Sequence, residues 1–277
     1  MLNYLISFFF GIIEGITEWL PVSSTGHMIL FDEFVKLSMS DDFKEMFLIV
    51  IQLGAILAVV VLFFWDIWPF TTPQKGLIKK DKFSMWFKIA VACIPAVILE
   101  LCLGDKIDAM FYNFQTVAIM LITVGVLFII VENWNKGRSA SVTTIDEISY
   151  KYAFYIGMFQ LVAALLPGTS RSGATIIGGL VLGLSRTVAA EFTFYLAIPV
   201  MFGASLLKGA KFLMNATMTS QEGVILVVGM VVAFAVSLIV IKFLMGYIKK
   251  HDFKVFGWYR IILGVIVLLC GFAGFIG

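Results

Sequence analysis

The chain has 277 residues, of which 61% are hydrophobic and only 14% are charged. A soluble domain carries about 25% charged residues and could not bury so much apolar surface, so the composition argues against a soluble enzyme and a disordered chain. The net charge of +2 gives no reason to expect a nucleic acid partner. Because the apolar stretches are long and do not alternate with polar residues, the sequence predicts an all-α integral membrane protein.

The first apolar stretch, residues 2–31, is broken by the polar sequence PVSSTGH at 21–27. This pattern predicts a short helix, a loop and a second short helix, and neither helix is long enough to cross a bilayer. A re-entrant helix-loop-helix is therefore the natural interpretation. Three predicted transmembrane helices follow it, at residues 46–65, 84–103 and 112–131.

The second half of the chain has the same order of elements. Residues 152–184 form another apolar stretch, broken by the polar sequence PGTSRSGAT at 167–175, and a second re-entrant helix-loop-helix is predicted there. Three further spans are predicted, at residues 189–207, 223–241 and 261–277. The protein is thus predicted to be one membrane domain, 1–277, with repeat one at 1–135 and repeat two at 147–277.

A constant offset of 146 residues relates the two halves. It matches Leu20–Pro21 with Leu166–Pro167, Ser24 with Ser170, and Glu45 with Glu191. Since three spans is an odd number, the second copy is predicted to enter the membrane inverted. Inverted repeats with broken helices occur in transporters and place the working site where the two repeats meet.

The basic residues predict the orientation in the membrane. Six spans put the loops around 66–83, 132–188 and 242–260 on one side, which carries 14 Lys and Arg residues, Arg260 among them, against five on the other side. Because basic residues are enriched in cytoplasmic loops, both termini are predicted to face away from the cytoplasm.

Four ionisable residues lie where an apolar environment penalises them. Glu14 and Glu18 share one face of the first short helix, His27 ends the first loop, and Arg171 lies in the second loop. An ionised side chain near the middle of a membrane costs about 2.5–3.5 kcal/mol on insertion scales. Such a cluster indicates a functional site, although the charges could also pair only to hold the two repeats together.

Six hydroxyl groups crowd the same two loops: Ser23, Ser24, Thr25, Thr169, Ser170 and Ser172. Together with the planar guanidinium of Arg171 and the backbone amides at helix starts, they favour a phosphate ester or diphosphate as the bound group. The carboxylates of Glu14 and Glu18 predict a site for a hard divalent cation, Mg²⁺ or Ca²⁺, shared with the phosphates. A hydroxyl beside His27 would supply a nucleophile together with its base.

The sequences EGITEWLPVSSTGH at 14–27 and PGTSRSGAT at 167–175 resemble the two signature motifs of the bacterial undecaprenyl-diphosphate phosphatase family, also called the bacitracin resistance protein family. The resemblance extends over the whole chain in the order and spacing of the spans. It implies hydrolysis of undecaprenyl diphosphate to undecaprenyl phosphate and phosphate in the bacterial plasma membrane, which recycles the lipid carrier for peptidoglycan synthesis. It also implies dependence on a divalent metal and the inverted-repeat fold.

Carried over by motif, Glu14 and Glu18 are the acidic pair that holds the metal. The loop residues that bind the substrate are then Ser23, Thr25, Thr169, Ser170, Arg171 and Ser172. We predict that Ser24 is the nucleophile, that His27 assists proton transfer, and that Arg171 clamps the diphosphate and stabilises charge as the bond breaks. Attack by His27, or by a water on the metal, would use the same residues and stays open.

Two other functions fit part of this pattern. A transporter or flippase of a phosphorylated lipid would share the inverted repeat but would need no nucleophile. A lipid phosphatase with a histidine nucleophile would need a second active-site histidine, and the only other one, His251, lies in a basic loop. The long first motif therefore favours the diphosphate phosphatase.

Polar and small residues within the apolar segments leave further alternatives open. Gln52 and Gln160 could reach the site or could form hydrogen bonds between helices. Gly54, Gly203 and Gly229 permit close helix contacts within one chain or between subunits, so a homodimer also stays open.

Overall fold

The computed structural model of this protein describes residues 1–71 and 78–275, and within these segments the chain is all-α apart from two isolated β-bridges. The helices are α1 (Leu2–Thr17), α2 (Ser24–Phe34), α3 (Asp41–Val50), α4 (Gln52–Leu62), α5 (Phe64–Ile67), α6 (Lys80–Phe111), α7 (Phe114–Asn135), α8 (Tyr150–Leu165), α9 (Arg171–Val181), α10 (Arg186–Asn215), α11 (Ser220–Ile248) and α12 (Lys254–Phe272).

Six helical segments of the described chain are long and apolar enough to cross a membrane, which confirms the predicted number of spans. They are Asp41–Leu62, Lys80–Gly104, Phe114–Asn135, Arg186–Asn215, Ser220–Ile248 and Lys254–Phe272. The first of them joins α3 and α4. The protein is therefore a multi-pass helical membrane protein.

The last span differs from its predicted bounds. The sequence predicts it at 261–277, whereas α12 begins earlier, at Lys254, and ends at Phe272, and residues 276–277 lie outside the described segments. Arg260, which the orientation argument counts with the basic loops, therefore lies about two turns inside α12 and has no exposed surface.

Three close helix contacts organise the fold: α7 packs on α12, α1 on α11, and α6 on α8. In each contact, a Cβ atom added at a glycine would lie within 2.7 Å of a backbone oxygen of the other helix: Gly125 against Gly257, Gly11 against Gly229, and Gly157 against Ala92. Gly54 likewise faces the backbone of α11, at Met230. A Cβ at Gly203 meets nothing within 4 Å, so among the three glycines proposed for helix contacts only Gly203 remains free for a second subunit.

The two predicted helix-loop-helix segments contain α1 with α2 and α8 with α9. The helices match in length, since α1 and α8 each have 16 residues and α2 and α9 each have 11. The loops between them, residues 18–23 and 166–170, meet beside α12, where Arg260 contacts both. This meeting point positions the candidate site.

An ion pair with a buried carboxylate joins the C-terminal end of α7 to the N-terminal end of α10. The carboxylate of Glu132 has no exposed surface, and Arg186 Nη2 donates to its Oε2 at 2.6 Å while Nε donates to Oε1 at 2.9 Å. The backbone N–H of Phe253 donates to Oε1 at 3.0 Å. Because Arg186 and the backbone of Phe253 bind both of its oxygens, Glu132 has a structural role. It offers a comparison for the carboxylates of the candidate site.

Candidate active site

The two loops end in the same capping geometry. Ser23 caps α2 and Ser170 caps α9, and each side-chain oxygen accepts a hydrogen bond from the backbone N–H three residues further on. Their φ angles are 73° and 68°, and no other non-glycine residue of the two described segments has a positive φ. Strained backbone of this kind costs about 1–3 kcal/mol per residue and concentrates at functional sites.

The caps differ from the predicted offset by one residue. Ser23 and Ser170 are 147 residues apart, because the second loop holds one more residue between its proline and its cap. Gly168 accommodates the extra residue with a φ of +89°, and a Cβ atom there would lie 2.5 Å from a backbone oxygen of α7. In this register Ser24, the first residue of α2, corresponds to Arg171, the first residue of α9.

Glu18 is the centre of a buried polar cluster that joins the two loops. Arg171 Nη2 donates to its Oε1 at 2.5 Å, and Ser24 Oγ donates to its Oε2 at 3.0 Å. Ser172 Oγ donates to the backbone carbonyl of Glu18 at 3.2 Å. The side chains of Arg171 and Glu18 are only 16% and 9% exposed, so the ion pair is largely removed from solvent. The Ser24 hydroxyl thus points its proton at a carboxylate.

His27 lies beside this cluster but is not bonded to Ser24. Its Nδ1 donates to the backbone carbonyl of Ser23 at 2.8 Å, so Nε2 is left to accept from the Tyr259 hydroxyl at 2.7 Å. The two rings are also nearly parallel, with an interplanar angle of 7°. Where the sequence analysis pairs Ser24 with His27, the structure pairs Ser24 with Glu18, because His27 is turned toward its own helix and α12.

Six buried polar atoms in α1, α8, the two loops and the first residue of α9 have no hydrogen-bond partner in the described chain: Glu14 Oε1, Trp19 Nε1, Gln160 Oε1 and Nε2, Thr169 Oγ1 and Arg171 Nη1. Buried polar groups are nearly always bonded, and an unpaired one costs about 1–3 kcal/mol. The N–H and O–H groups suit anionic oxygens, and the carboxylate oxygen suits a cation. Since Glu14, Trp19, Thr169 and Arg171 lie in the two loops or within four residues of them, these atoms indicate a site there for a ligand with several charges.

Arg260 joins this region although the sequence analysis places it in a loop. Its guanidinium donates to the carbonyl oxygens of Pro21, Gly168 and Thr169, at 3.2, 2.8 and 2.9 Å. Among the ion pairs of the described chain none includes Arg260. Its only signal in the sequence is an arginine at the start of an apolar run, which is also the pattern of an interfacial residue.

A family model for the bacitracin resistance protein BacA matches residues 7–266 of this chain. The chain belongs to the BacA family. Among its curated relatives, an undecaprenyl-diphosphatase of Desulfitobacterium hafniense is 65% identical over 94% of this chain and 92% of that protein. Undecaprenyl-diphosphatases of Enterococcus faecalis and Streptococcus thermophilus are 62% and 53% identical, over 94% and 98% of this chain and 94% of each relative.

The predicted site residues of this BacA-family protein all lie in the two loops, in the last turn of α1, or in the first turn of α2 or α9. Four of them are in direct contact: Glu18, Ser24, Arg171 and Ser172. The others lie within four residues of these along the chain: Glu14, Ser23, Thr25, His27, Thr169 and Ser170. Sequence reasoning missed Arg260 and Tyr259, because only the fold of α12 brings them to the loops.

A hard divalent cation would be held by Glu14, whose Oε1 has no hydrogen-bond partner in the described chain, together with Glu18, whose two oxygens already accept bonds from Arg171 and Ser24. No group of three or more His, Cys, Asp or Glu side chains that could hold a metal occurs among the residues that the structure describes. Mg²⁺ is commonly bound through one or two carboxylates together with waters and substrate phosphates, and the unpaired Oε1 of Glu14 is a ligand of this kind. A cation at this pair would also offset the repulsion between the two carboxylates.

Proposed function

We propose that this BacA-family protein hydrolyses undecaprenyl diphosphate to undecaprenyl phosphate and inorganic phosphate in a bacterial plasma membrane. Relatives with the name undecaprenyl-diphosphatase share 53–65% identity with nearly the whole chain. The observation that carries the proposal is the contact of Glu18 with both Ser24 Oγ and Arg171 Nη2, since it unites a nucleophile, a proton acceptor and a cation. The reaction recycles the lipid carrier for peptidoglycan synthesis and confers bacitracin resistance.

In the proposed reaction, Ser24 Oγ attacks the terminal phosphorus and transfers its proton to Glu18 Oε2, the oxygen to which it is bonded. The bond from that phosphorus to the bridging oxygen breaks, and its electron pair leaves with undecaprenyl phosphate. Arg171 Nη1, which has no hydrogen-bond partner among the described residues, binds the diphosphate oxygens and stabilises their developing charge. Water then adds to the phosphorus of the phosphoserine, and the bond from phosphorus to Ser24 Oγ breaks with its electron pair left on Oγ. Oγ takes back the proton from Glu18, and the water oxygen leaves as part of inorganic phosphate.

The other groups of the site bind and neutralise the diphosphate. Glu14 and Glu18 would hold a divalent cation, Mg²⁺ or Ca²⁺, which when bound neutralises phosphate charge. Gln160 and Thr169 have unpaired buried polar atoms that suit the same oxygens. His27 keeps a proposed role in proton transfer, with the Tyr259 hydroxyl as its hydrogen-bond partner.

We also propose that the two halves are inverted repeats and that neither helix-loop-helix crosses the bilayer. In support of this, α1 packs on α11 whereas its counterpart α8 packs on α6, and α7 packs on its own counterpart α12. A two-fold axis in the membrane plane would produce this exchange of partners. From the loop charges we propose that both termini lie outside the cytoplasm; an N-terminal tag that protease cannot reach in intact spheroplasts would contradict this orientation.

Phosphate release from a prenyl diphosphate by the purified protein tests the function. We expect release that EDTA abolishes and added Mg²⁺ or Ca²⁺ restores, and that is lost in Glu14→Ala and Arg171→Ala. Acid quenching should retain the labelled terminal phosphate on the wild-type protein and not on Ser24→Ala, in which His27 is intact. Movement of unchanged diphosphate across vesicles without phosphate release would refute hydrolysis and favour a transporter.

A further inference from the structure

Arg260 has no exposed surface, and the reaction proposed above leaves it without a role. Its guanidinium lies where the first loop, the second loop and α7 meet. The three shortest contacts go to the carbonyl oxygens of Pro21, Gly168 and Thr169, and longer ones of 3.4 and 3.5 Å reach carbonyls of α7. These three carbonyls belong to the loops, three or four residues beyond the ends of α1 and α8, and so lie outside the regular hydrogen bonding of the helices.

The guanidinium of Arg260 is bonded to carbonyl oxygens without a carboxylate in the described chain. Burying a cation is costly, and intramembrane arginines that pair with backbone carbonyls tend to mark functional sites. Lys88 offers a comparison, because it is also buried but donates a single bond of 3.0 Å to the carbonyl of Asp146 in another loop. The planar guanidinium of an arginine has several N–H groups and can bond to two loops at once, whereas the one bond from the Lys88 ammonium reaches a single loop.

The bridged loops are those that carry the reacting groups. Pro21 lies three residues before Ser24, and Thr169 lies two residues before Arg171. Arg260 also packs on the first turn of α9, since a Cβ atom at Gly173 would lie 3.3 Å from its Nη1. A shift of this guanidinium would therefore move both halves of the cluster around Glu18.

We propose that Arg260 is a positioning residue, which holds the two loops in register so that Ser24, Glu18 and Arg171 keep their contacts during the reaction. It acts through backbone carbonyls and does not touch the diphosphate. Only the kinetic test of this inference rests on the proposed function. The order of the two loops can be measured by hydrogen exchange without substrate.

Kinetics of three variants test this role: Arg260→Met, Arg260→Lys, and Lys88→Met as the matched buried-cation control. We expect Arg260→Met to lower kcat about 100-fold with little change in KM, since a misplacement near 1 Å costs about that much. Arg260→Lys keeps the charge and can reach part of the carbonyl set, so it should recover about tenfold of the loss. Lys88→Met should keep the wild-type kcat even if its melting temperature falls.

Amide hydrogen exchange at residues 18–23 and 166–170 provides the readout that is independent of activity. Exchange there should quicken in Arg260→Met and stay unchanged in Lys88→Met. Wild-type kcat in Arg260→Met, or equal kcat losses in Arg260→Met and Lys88→Met, overturns the proposal. If Arg260→Met does not fold, Arg260→Lys decides: a lower kcat with unchanged KM supports the role, and wild-type kcat refutes it. If the wild-type protein releases no phosphate, the proposed function fails, and exchange alone decides the positioning role.

Discussion

Replacing Glu18 by Gln removes one negative charge from the cluster that joins the two loops while keeping the shape of the side chain. Two bonds depend on that charge, from Arg171 Nη2 and from Ser24 Oγ. Removing one partner of a buried ion pair costs about 3–5 kcal/mol, and this agrees with about 1.5–3 kcal/mol for each hydrogen bond to a charged group. Relief of the repulsion from Glu14 opposes the loss. The destabilisation should therefore be near 3 kcal/mol or less.

The catalytic loss in Glu18→Gln should be larger than this change in stability implies. An amide cannot accept the Ser24 proton, so kcat should fall by about 10²–10⁴. Glu132→Gln is the matched control, because Glu132 is also a buried carboxylate bonded to an arginine but lies away from the loops. Because Arg186 is 37% exposed and can be solvated, Glu132→Gln should be destabilised by about 3 kcal/mol or less, yet keep the kcat of the folded enzyme.

Phosphate release at saturating prenyl diphosphate gives kcat, and tryptophan fluorescence during unfolding in the same detergent gives stability. A Glu18→Gln variant that keeps kcat within about threefold of wild type would show that Glu18 is not the proton acceptor. Equal kcat losses in Glu18→Gln and Glu132→Gln would show that any broken buried pair disables the enzyme. Either result refutes the assignment of Glu18.

Three further substitutions follow from single contacts. Gln160→Leu removes unpaired buried groups, each of which costs about 1–3 kcal/mol, so it should raise the melting temperature measured without substrate. The same substitution should lower kcat/KM about tenfold or more. A fall in melting temperature would contradict this. Gly168→Ala should destabilise by about 1–3 kcal/mol through its positive φ, whereas Gly203→Ala, with open space around its Cβ, should not. Tyr259→Phe removes the donor to His27 Nε2 and should lower kcat up to about tenfold, and an unchanged kcat argues against His27 in proton transfer.

The number of spans and the location of the two loops could be predicted because both depend on local composition. Apolar runs near 20 residues stand out without any knowledge of packing, and so do the Pro, Gly and Ser residues that break them. Scarcity of charge made Glu14, Glu18 and Arg171 visible in the same way. The one-residue shift at Gly168 could not be predicted, because it depends on how closely that loop approaches α7.

The hydrogen-bond partners of the site residues could not be predicted from the sequence. For Ser24, proximity along the chain suggests His27, whereas the structure pairs it with Glu18. His27 is three residues from Ser24 and faces it along a helix, whereas Glu18 is six residues away on the other side of a proline. In the fold, the first turn of α2 directs His27 to the Ser23 carbonyl, and the loop returns Ser24 to the end of α1.

The same reasoning explains Arg260. A loop that interrupts a helix inside an apolar protein has carbonyl oxygens outside the helical hydrogen bonding, and where water cannot reach them they need donors from elsewhere in the chain. The two interrupted helices create that need at Pro21, Gly168 and Thr169, and a single guanidinium in α12 meets it. A carboxylate partner of a buried cation can be seen in a sequence, but backbone carbonyl partners cannot. An arginine bonded only to backbone oxygens is therefore easily mistaken for a surface residue. In a protein with interrupted helices, an arginine at the start of an apolar segment should therefore be tested as a hydrogen-bond donor to the carbonyl oxygens of the interrupting loops.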